Sequence, residues 1–178
     1  MSLFKRLFKL RTRQANLTIC GLDNSGKTTL VNYLLHGEFQ QTMPTSGLNR
    51  EVIDLPKLTL DIFDLGGQTE FRDMWADYNE QSDALIFVVD SADTTRFEEA
   101  KEIFYKIIKT QINPRIPVLL LIHKCDLEER IGIKEFIPQF GLNDPHTKFQ
   151  WAVFETSAVT GEGVIKAFQW LVDLLGGE

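Results

Sequence analysis

Eight residues, Gly21-Leu22-Asp23-Asn24-Ser25-Gly26-Lys27-Thr28, follow the apolar stretch at residues 16–20 and run into a helical period. They fit the pattern G-x-x-x-x-G-K-[ST], which constrains this chain more than any other feature. A strand, a glycine-bearing loop and a helix in that order gather backbone N–H groups around one point. Here these are the amides of Asn24, Ser25, Gly26, Lys27, Thr28 and Thr29, backed by the positive end of the helix. An anion the size of a phosphate satisfies them. The Lys27 ammonium suits the β- and γ-phosphates, and the Thr28 hydroxyl suits Mg²⁺. Without its flanks the same loop would be an ordinary strand-to-helix turn, but both flanks are present.

The rest of the chain fits a sheet that can carry such a loop. A short helix is expected over about residues 27–35, then a polar loop. Two strand-like pieces, 50–54 and 57–63, meet at Leu55-Pro56 as a hairpin. Residues 71–80 read as helical. The continuous apolar runs 84–90 and 118–126 are those of strands covered on both faces. Between them, Thr94 or Thr95 is expected to cap a helix burying Phe97, Ala100, Phe104 and Ile107 or Ile108. A last strand at 149–158 and an amphipathic helix at 162–175 close the chain. The expected fold is α/β: a mostly parallel six-stranded sheet, one antiparallel hairpin strand, and helices on both faces.

Further residues stand where a sensor of the third phosphate needs them. Asp64, ending a strand in Asp-Leu-Gly-Gly-Gln, can hold a metal-bound water. Gly67 offers a backbone N–H unobstructed by a side chain, and Gln68 is placed to orient an attacking water. Thr45 in the earlier loop can add a second hydroxyl to the metal. Singly these are a tight turn and a loop threonine; their order and spacing make the set specific. At the carboxyl end of another strand stands His123-Lys124-Cys125-Asp126, on the edge where such sheets bind ligands. An Asp there accepts two hydrogen bonds from guanine, one from an amino group that adenine lacks, so Asp126 selects GTP or GDP over ATP. Lys124 can lay its methylenes along the base. Ser157 and Ala158 end the last strand, where the Ala158 amide can meet the guanine 6-oxygen.

Composition narrows the partners. With a net charge of −6, of which residues 1–13 contribute +5 and no acid, the remainder sums to −11. Nucleic acid does not suit so acidic a body. Two isolated cysteines, Cys20 and Cys125, fit a reducing compartment. No apolar run approaches the ~18 residues of a membrane span.

Together, Gly-Leu-Asp-Asn-Ser-Gly-Lys-Thr-Thr with Asp23 inside the loop, Pro-Thr-Ser-Gly-Leu-Asn around Thr45, Asp-Leu-Gly-Gly-Gln, residues 85–93 and Ala-Phe-Gln-Trp-Leu resemble the Arf/Sar branch of the Ras-like small GTPases. The likeness covers nearly the whole chain. It implies a GDP/GTP switch using Mg²⁺, with catalytic roles for Lys27 and Gln68. It also implies an exchange factor, an activating protein and effectors as partners of a monomer. There are departures. The base-reading motif begins with Asn in the family and with His123 here, which implies either a weaker hold on guanine or a purely structural histidine. The three aromatics of the family's effector surface correspond to Leu48, Phe63 and Tyr78, two of them changed in type. Ser2 stands where Arf proteins carry a glycine for myristoylation, and the carboxyl end has no prenylation box.

Residues 1–13 are read as a separate basic amphipathic segment before a GTPase domain at 14–178. On a helical wheel Leu3, Phe4, Leu7, Phe8 and Leu10 fall within about 160°, opposite Lys5, Arg6 and Lys9. Such a face suits an anionic membrane, bound weakly and reversibly without lipid. The expected protein is therefore cytoplasmic, reversibly peripheral on membranes, and acts in trafficking. The resemblance implies that GTP shifts the hairpin at 48–63 and frees this helix. Residues 37–44 are too few to insert a domain presenting an arginine in cis, so intrinsic hydrolysis should be slow. A GTP-binding subunit that does not switch stays open as an alternative. An ATP-using kinase is disfavoured by Asp126 and by the lack of a lid or acceptor sequence.

Overall fold

A computed structural model describes residues 13–56, 58–143 and 149–176. Of the segment expected at residues 1–13, residues 1–12, with Leu3, Phe4, Leu7 and Phe8, lie outside the described residues, while Arg13 belongs to the first strand instead. In chain order the elements are β1 (Arg13–Cys20), α1 (Lys27–His36), β2 (Leu48–Asp54), β3 (Leu58–Leu65), α2 (Trp75–Asn79), β4 (Ala84–Asp90), α3 (Phe97–Thr110), β5 (Val118–His123), α4 (Ile133–Phe140), β6 (Trp151–Thr156) and α5 (Val164–Gly176). The six strands form one sheet in the order β2-β3-β1-β4-β5-β6. β2 runs antiparallel to β3 and every other pairing is parallel, as the sequence pattern predicts.

The central strands are apolar on both sides because both sides are covered. Ile86, Val88, Leu119 and Leu121 pack under α1 and α5, against Leu30, Val31, Phe168 and Leu171. Their neighbours Leu85, Phe87, Leu120 and Ile122 turn to the opposite face and meet α3 and α4. There Phe97, Phe104, Phe136 and Phe140 form an aromatic cluster, Phe136 stacking on Phe140 at 4.6 Å between centroids. Each such ring contributes roughly 1.5–3 kcal/mol on leaving water.

Three local expectations change. Residues 69–79 are a 3₁₀ turn (Thr69–Met74) followed by the short α2 rather than one helix. Neither Thr94 nor Thr95 caps α3: both lie in a 3₁₀ turn ahead of it, and the Thr95 hydroxyl bonds Asp93 instead (2.8 Å). Helix α4 is not evident from the sequence, because it is short and holds Pro138, which cannot donate a helical hydrogen bond.

Register brings the chemistry to one edge. Ile19 pairs with Asp64, Asp90 with His123, and His123 with Thr156, all near the carboxyl ends of parallel strands. The loops after these ends therefore converge, as in other open α/β sheets.

Candidate functional site

The loop after β1 is bent by left-handed residues. Gly21 has φ 140°, Asn24 59° and Gly26 92°, conformations that glycine and asparagine tolerate best. Gly26 caps α1, and the Leu30 amide donates back to its carbonyl at 2.9 Å. Lys27, only 5% exposed, folds over the loop and donates to the carbonyls of Gly21 (3.0 Å) and Leu22 (2.7 Å). Burial lowers its pKa to about 8, opposed by the nearby Asp64. The cavity in front is about 280 Å³, and Asp23, Asn24, Gly26, Lys27, Thr28, Thr29, Thr45, Gly67, Gln68 and Lys124 all line it. Ser25 is buried, its hydroxyl without a hydrogen-bond partner among the described residues. A more open groove of about 630 Å³ lies beside Leu127 and Glu135. It has no glycine loop, and its carboxylates Glu128, Glu129 and Glu135 would repel phosphate.

Thr28, Thr45 and Asp64 converge beside the cavity. The Thr28 hydroxyl donates to Asp64 Oδ2 at 2.6 Å, lies 2.6 Å from the Thr45 hydroxyl, and Thr45 reaches the same carboxylate oxygen at 3.5 Å. Asp64 Oδ1 is buried with no partner among the described residues, and burial raises the pKa of the carboxyl. Two hydroxyls and an underused, desolvated carboxylate form an all-oxygen set that fits a hard divalent cation such as Mg²⁺, with Asp64 acting directly or through water. A cation there would lower the Asp64 pKa again.

The glycine turn after β3 lies against the phosphate loop. A Cβ on Gly67 would collide with Asp23 N and Leu22 C, and one on Gly66 would come within 2.8 Å of the Thr45 carbonyl. Glycine is required at both positions by close approach. Gln68 follows at the cavity wall, half-exposed. Four residues absent from the sequence reading support this turn. The Trp75 indole donates to the Gly66 carbonyl (3.0 Å), and Arg72 Nε donates to the Gly67 carbonyl (3.0 Å). Arg72 also pairs with Glu99 (2.9 Å), Glu99 with Arg96 (3.0 Å), and Arg96 with Asp23 (2.7 Å). Their signal is weak: Trp75 is an isolated tryptophan in a polar stretch, and the charges read as a solvated surface.

At the other end of the loop, Lys124 (φ 63°) donates to the Asn24 carbonyl (2.7 Å) and to Asp90 (2.6 Å). Asp126 is exposed beside it. The Ser157 hydroxyl accepts from the amides of Val159 (3.1 Å) and Thr160 (3.2 Å), which shapes the turn holding the buried Ala158. Asp126, Ser157 and Ala158 lie outside the lining of the cavity in front of the loop. His123 does not line it either. It is 2% exposed, its Nδ1 lies 2.9 Å from the Thr156 hydroxyl, and its ring edge covers Gly26, where a Cβ would come within 2.5 Å of Cδ2. Burial, then the neighbouring Lys124 charge, pushes its pKa down to about 4, so the ring is neutral at pH 7.

Leu48, Phe63 and Tyr78 are half-buried together at the β2–β3 face, with the Phe63 and Tyr78 rings 5.3 Å apart. Arg50 lies 5.7 Å over Phe63 and bonds the buried carboxylate of Asp61. No helix among the described residues is long and apolar enough to cross a membrane.

The profile of the ADP-ribosylation factor family matches residues 1–175. ADP-ribosylation factor 1 of Brassica rapa subsp. pekinensis is 37% identical, covering 97% of this chain and 96% of that protein. Human ADP-ribosylation factor-like protein 4A is 33% identical over 90% of this chain and 82% of its own length. Among solved structures, the Arl6 BBS3 small GTPase of Trypanosoma brucei, with bound nucleotide analogue GppNp, is similar with a TM-score of 0.82. It is 29% identical, with 91% of this chain and 97% of that one covered.

Proposed function

The chain belongs to the ADP-ribosylation factor family of GTP-binding small GTPases, and from that premise we propose a GDP/GTP switch. It hydrolyses GTP slowly and recruits effector proteins at a membrane surface in trafficking. The observation that carries this reading is the meeting of Thr45, from the loop before β2, with Thr28 and Asp64 (2.6 Å between the two hydroxyls), while Gly67 lies against the phosphate loop. On this reading both flanking segments approach the place where a third phosphate would lie. A ligand that contacts one arrangement and not the other shifts the population between them.

The residues divide the work. Lys27 leaves the Gly21 and Leu22 carbonyls for the β- and γ-phosphates, and the loop amides cradle the β-phosphate. Thr28, Thr45 and Asp64 would hold Mg²⁺, which supplies neutralisation of the phosphate charge. Gly67 donates its amide to the γ-phosphate. Gln68 orients the water whose oxygen forms the new bond to phosphorus as the bond to the β-phosphate oxygen breaks. Asp126 and the Ala158 amide read guanine. Among the described residues the cations lining the cavity are Lys27 and Lys124. Arg72 and Arg96 are engaged with Gly67, Glu99 and Asp23. An activating protein that supplies an arginine should therefore accelerate hydrolysis by ~10³–10⁵.

Limited proteolysis over residues 37–80 tests the switch. Protection by a non-hydrolysable GTP analogue beyond that given by GDP supports it; identical patterns favour a nucleotide held as a structural ligand. For the membrane, liposome flotation should rise with the GTP analogue and be lost on deleting residues 1–10. Equal flotation in both nucleotide states removes that part of the reading.

A further inference from the structure

We infer that Trp75 and Arg72 are positioning residues for the γ-phosphate sensor, and that the chain Asp23–Arg96–Glu99–Arg72 ties their action to the phosphate loop. The inference rests on the switch reading above. Successive peptide groups of the turn after β3 are each held by a different part of the molecule. The Gly66 amide donates to the Gly47 carbonyl at 2.8 Å, which anchors the turn to the segment carrying Thr45. The Gly66 carbonyl accepts from the Trp75 indole, and the Gly67 carbonyl accepts from Arg72 Nε, each at 3.0 Å. The Gln68 carbonyl accepts from the Phe71 amide, also at 3.0 Å.

None of these bonds uses the Gly67 N–H. In a trans peptide the carbonyl and the following N–H point in opposite directions. The indole that holds the Gly66 carbonyl therefore aims the Gly67 N–H away from Trp75, and Gly67 lines the phosphate cavity. Flipping this peptide would leave a buried indole N–H unpaired, an unfavourable outcome. Arg72 does the same for the next peptide, which leads into Gln68. Its planar fork lets Nε hold the carbonyl while Nη2 holds Glu99 (2.9 Å). Glu99 also holds Arg96, whose other partner is Asp23 in the phosphate loop. The phosphate loop and the sensor turn are thereby connected by charge-assisted bonds that run from Asp23 at the cavity wall through Arg96 and Glu99 to Arg72.

A diphosphate has no use for the Gly67 amide, so loss of its positioning should weaken triphosphate binding alone. The test uses the full chain and two fluorescent ligands, GDP and a non-hydrolysable GTP analogue, titrated against wild type, Trp75→Phe, Arg72→Lys and Glu99→Gln. Trp75→Phe keeps a ring in the core but removes the donor; Arg72→Lys keeps the charge but loses the fork. Both should lower triphosphate affinity about tenfold, the worth of one unmade buried hydrogen bond, with diphosphate affinity within about twofold of wild type. Glu99→Gln should do the same more weakly. A parallel fall in both affinities, or no fall, overturns the positioning role. Should Trp75→Phe fail to fold, Arg72→Lys and Glu99→Gln decide the matter, since the Glu99 side chain is 40% exposed. A wild type that binds neither guanine nucleotide overturns the switch reading and this inference with it. A wild type that binds both, with variants keeping its ratio, overturns the inference alone.

Discussion

The Thr28 hydroxyl donates a 2.6 Å hydrogen bond to one oxygen of Asp64, while the other oxygen is buried with no partner among the described residues. Burial raises the pKa of this carboxyl, against the Thr28 hydrogen bond and the Lys27 charge, which lower it, and on the proposed reading a cation would bind there. Chelating divalent ions should speed nucleotide release on the order of tenfold or more. Asp64→Asn should release nucleotide quickly with or without the chelator. Release from wild type that ignores the chelator would remove Mg²⁺ from the site.

Gln68→Leu should leave GTP affinity within about threefold of wild type and slow single-turnover hydrolysis by about 10²-fold, the usual scale for a group that orients the nucleophile. Hydrolysis at the wild-type rate would take that role from Gln68.

Gly67→Ala places a methyl group against Asp23 N and Leu22 C. The turn must back away from the phosphate loop, so the variant should bind GDP nearly normally and lose most of its preference for GTP. Calorimetric titration with both nucleotides reads this directly; undiminished GTP affinity would mean the close approach is dispensable.

His123 gives an acid sensitivity whose sign is fixed. Its pKa is about 4 in the fold against an ordinary 6.5, so the unfolded chain binds the additional proton between these values. Stability from this group is complete above pH 6.5 and is lost as pH falls towards 4, by up to about 3 kcal/mol. The urea midpoint should fall through that window in wild type and fall less in His123→Asn. The carboxylates Asp23 and Glu99, whose pKa values are lowered by their arginine partners, contribute at still lower pH. Identical pH profiles for the two proteins would contradict the histidine assignment.

The parts legible in the sequence share a property: neighbours in the chain determine them. The phosphate loop is set by glycines and a lysine at fixed spacing, and the central strands by unbroken apolar runs. Helix α4 was hidden because Pro138 argues against a helix locally, while Phe136 and Phe140 are drawn into a core assembled from distant segments. Trp75, Arg72, Arg96 and Glu99 are hidden for another reason: nothing in their local sequence marks a partner, near or far. Their partners lie from 3 to 73 residues away, and a lone arginine in a charged stretch gives no hint of a carbonyl to hold. His123 was legible as a departure from Asn, but its position behind Gly26, facing Thr156, became visible only once β5 and β6 were in register.

On the proposed switch, a third phosphate is sensed by the Thr45 hydroxyl and the Gly67 amide together. Amide hydrogen exchange over residues 37–80, compared between GDP and a non-hydrolysable GTP analogue, tests it most directly. Peptides carrying Thr45 and Gly67 should exchange about tenfold or more slowly with the triphosphate, both segments changing together. Equal exchange in the two nucleotide states would mean that neither group senses the third phosphate.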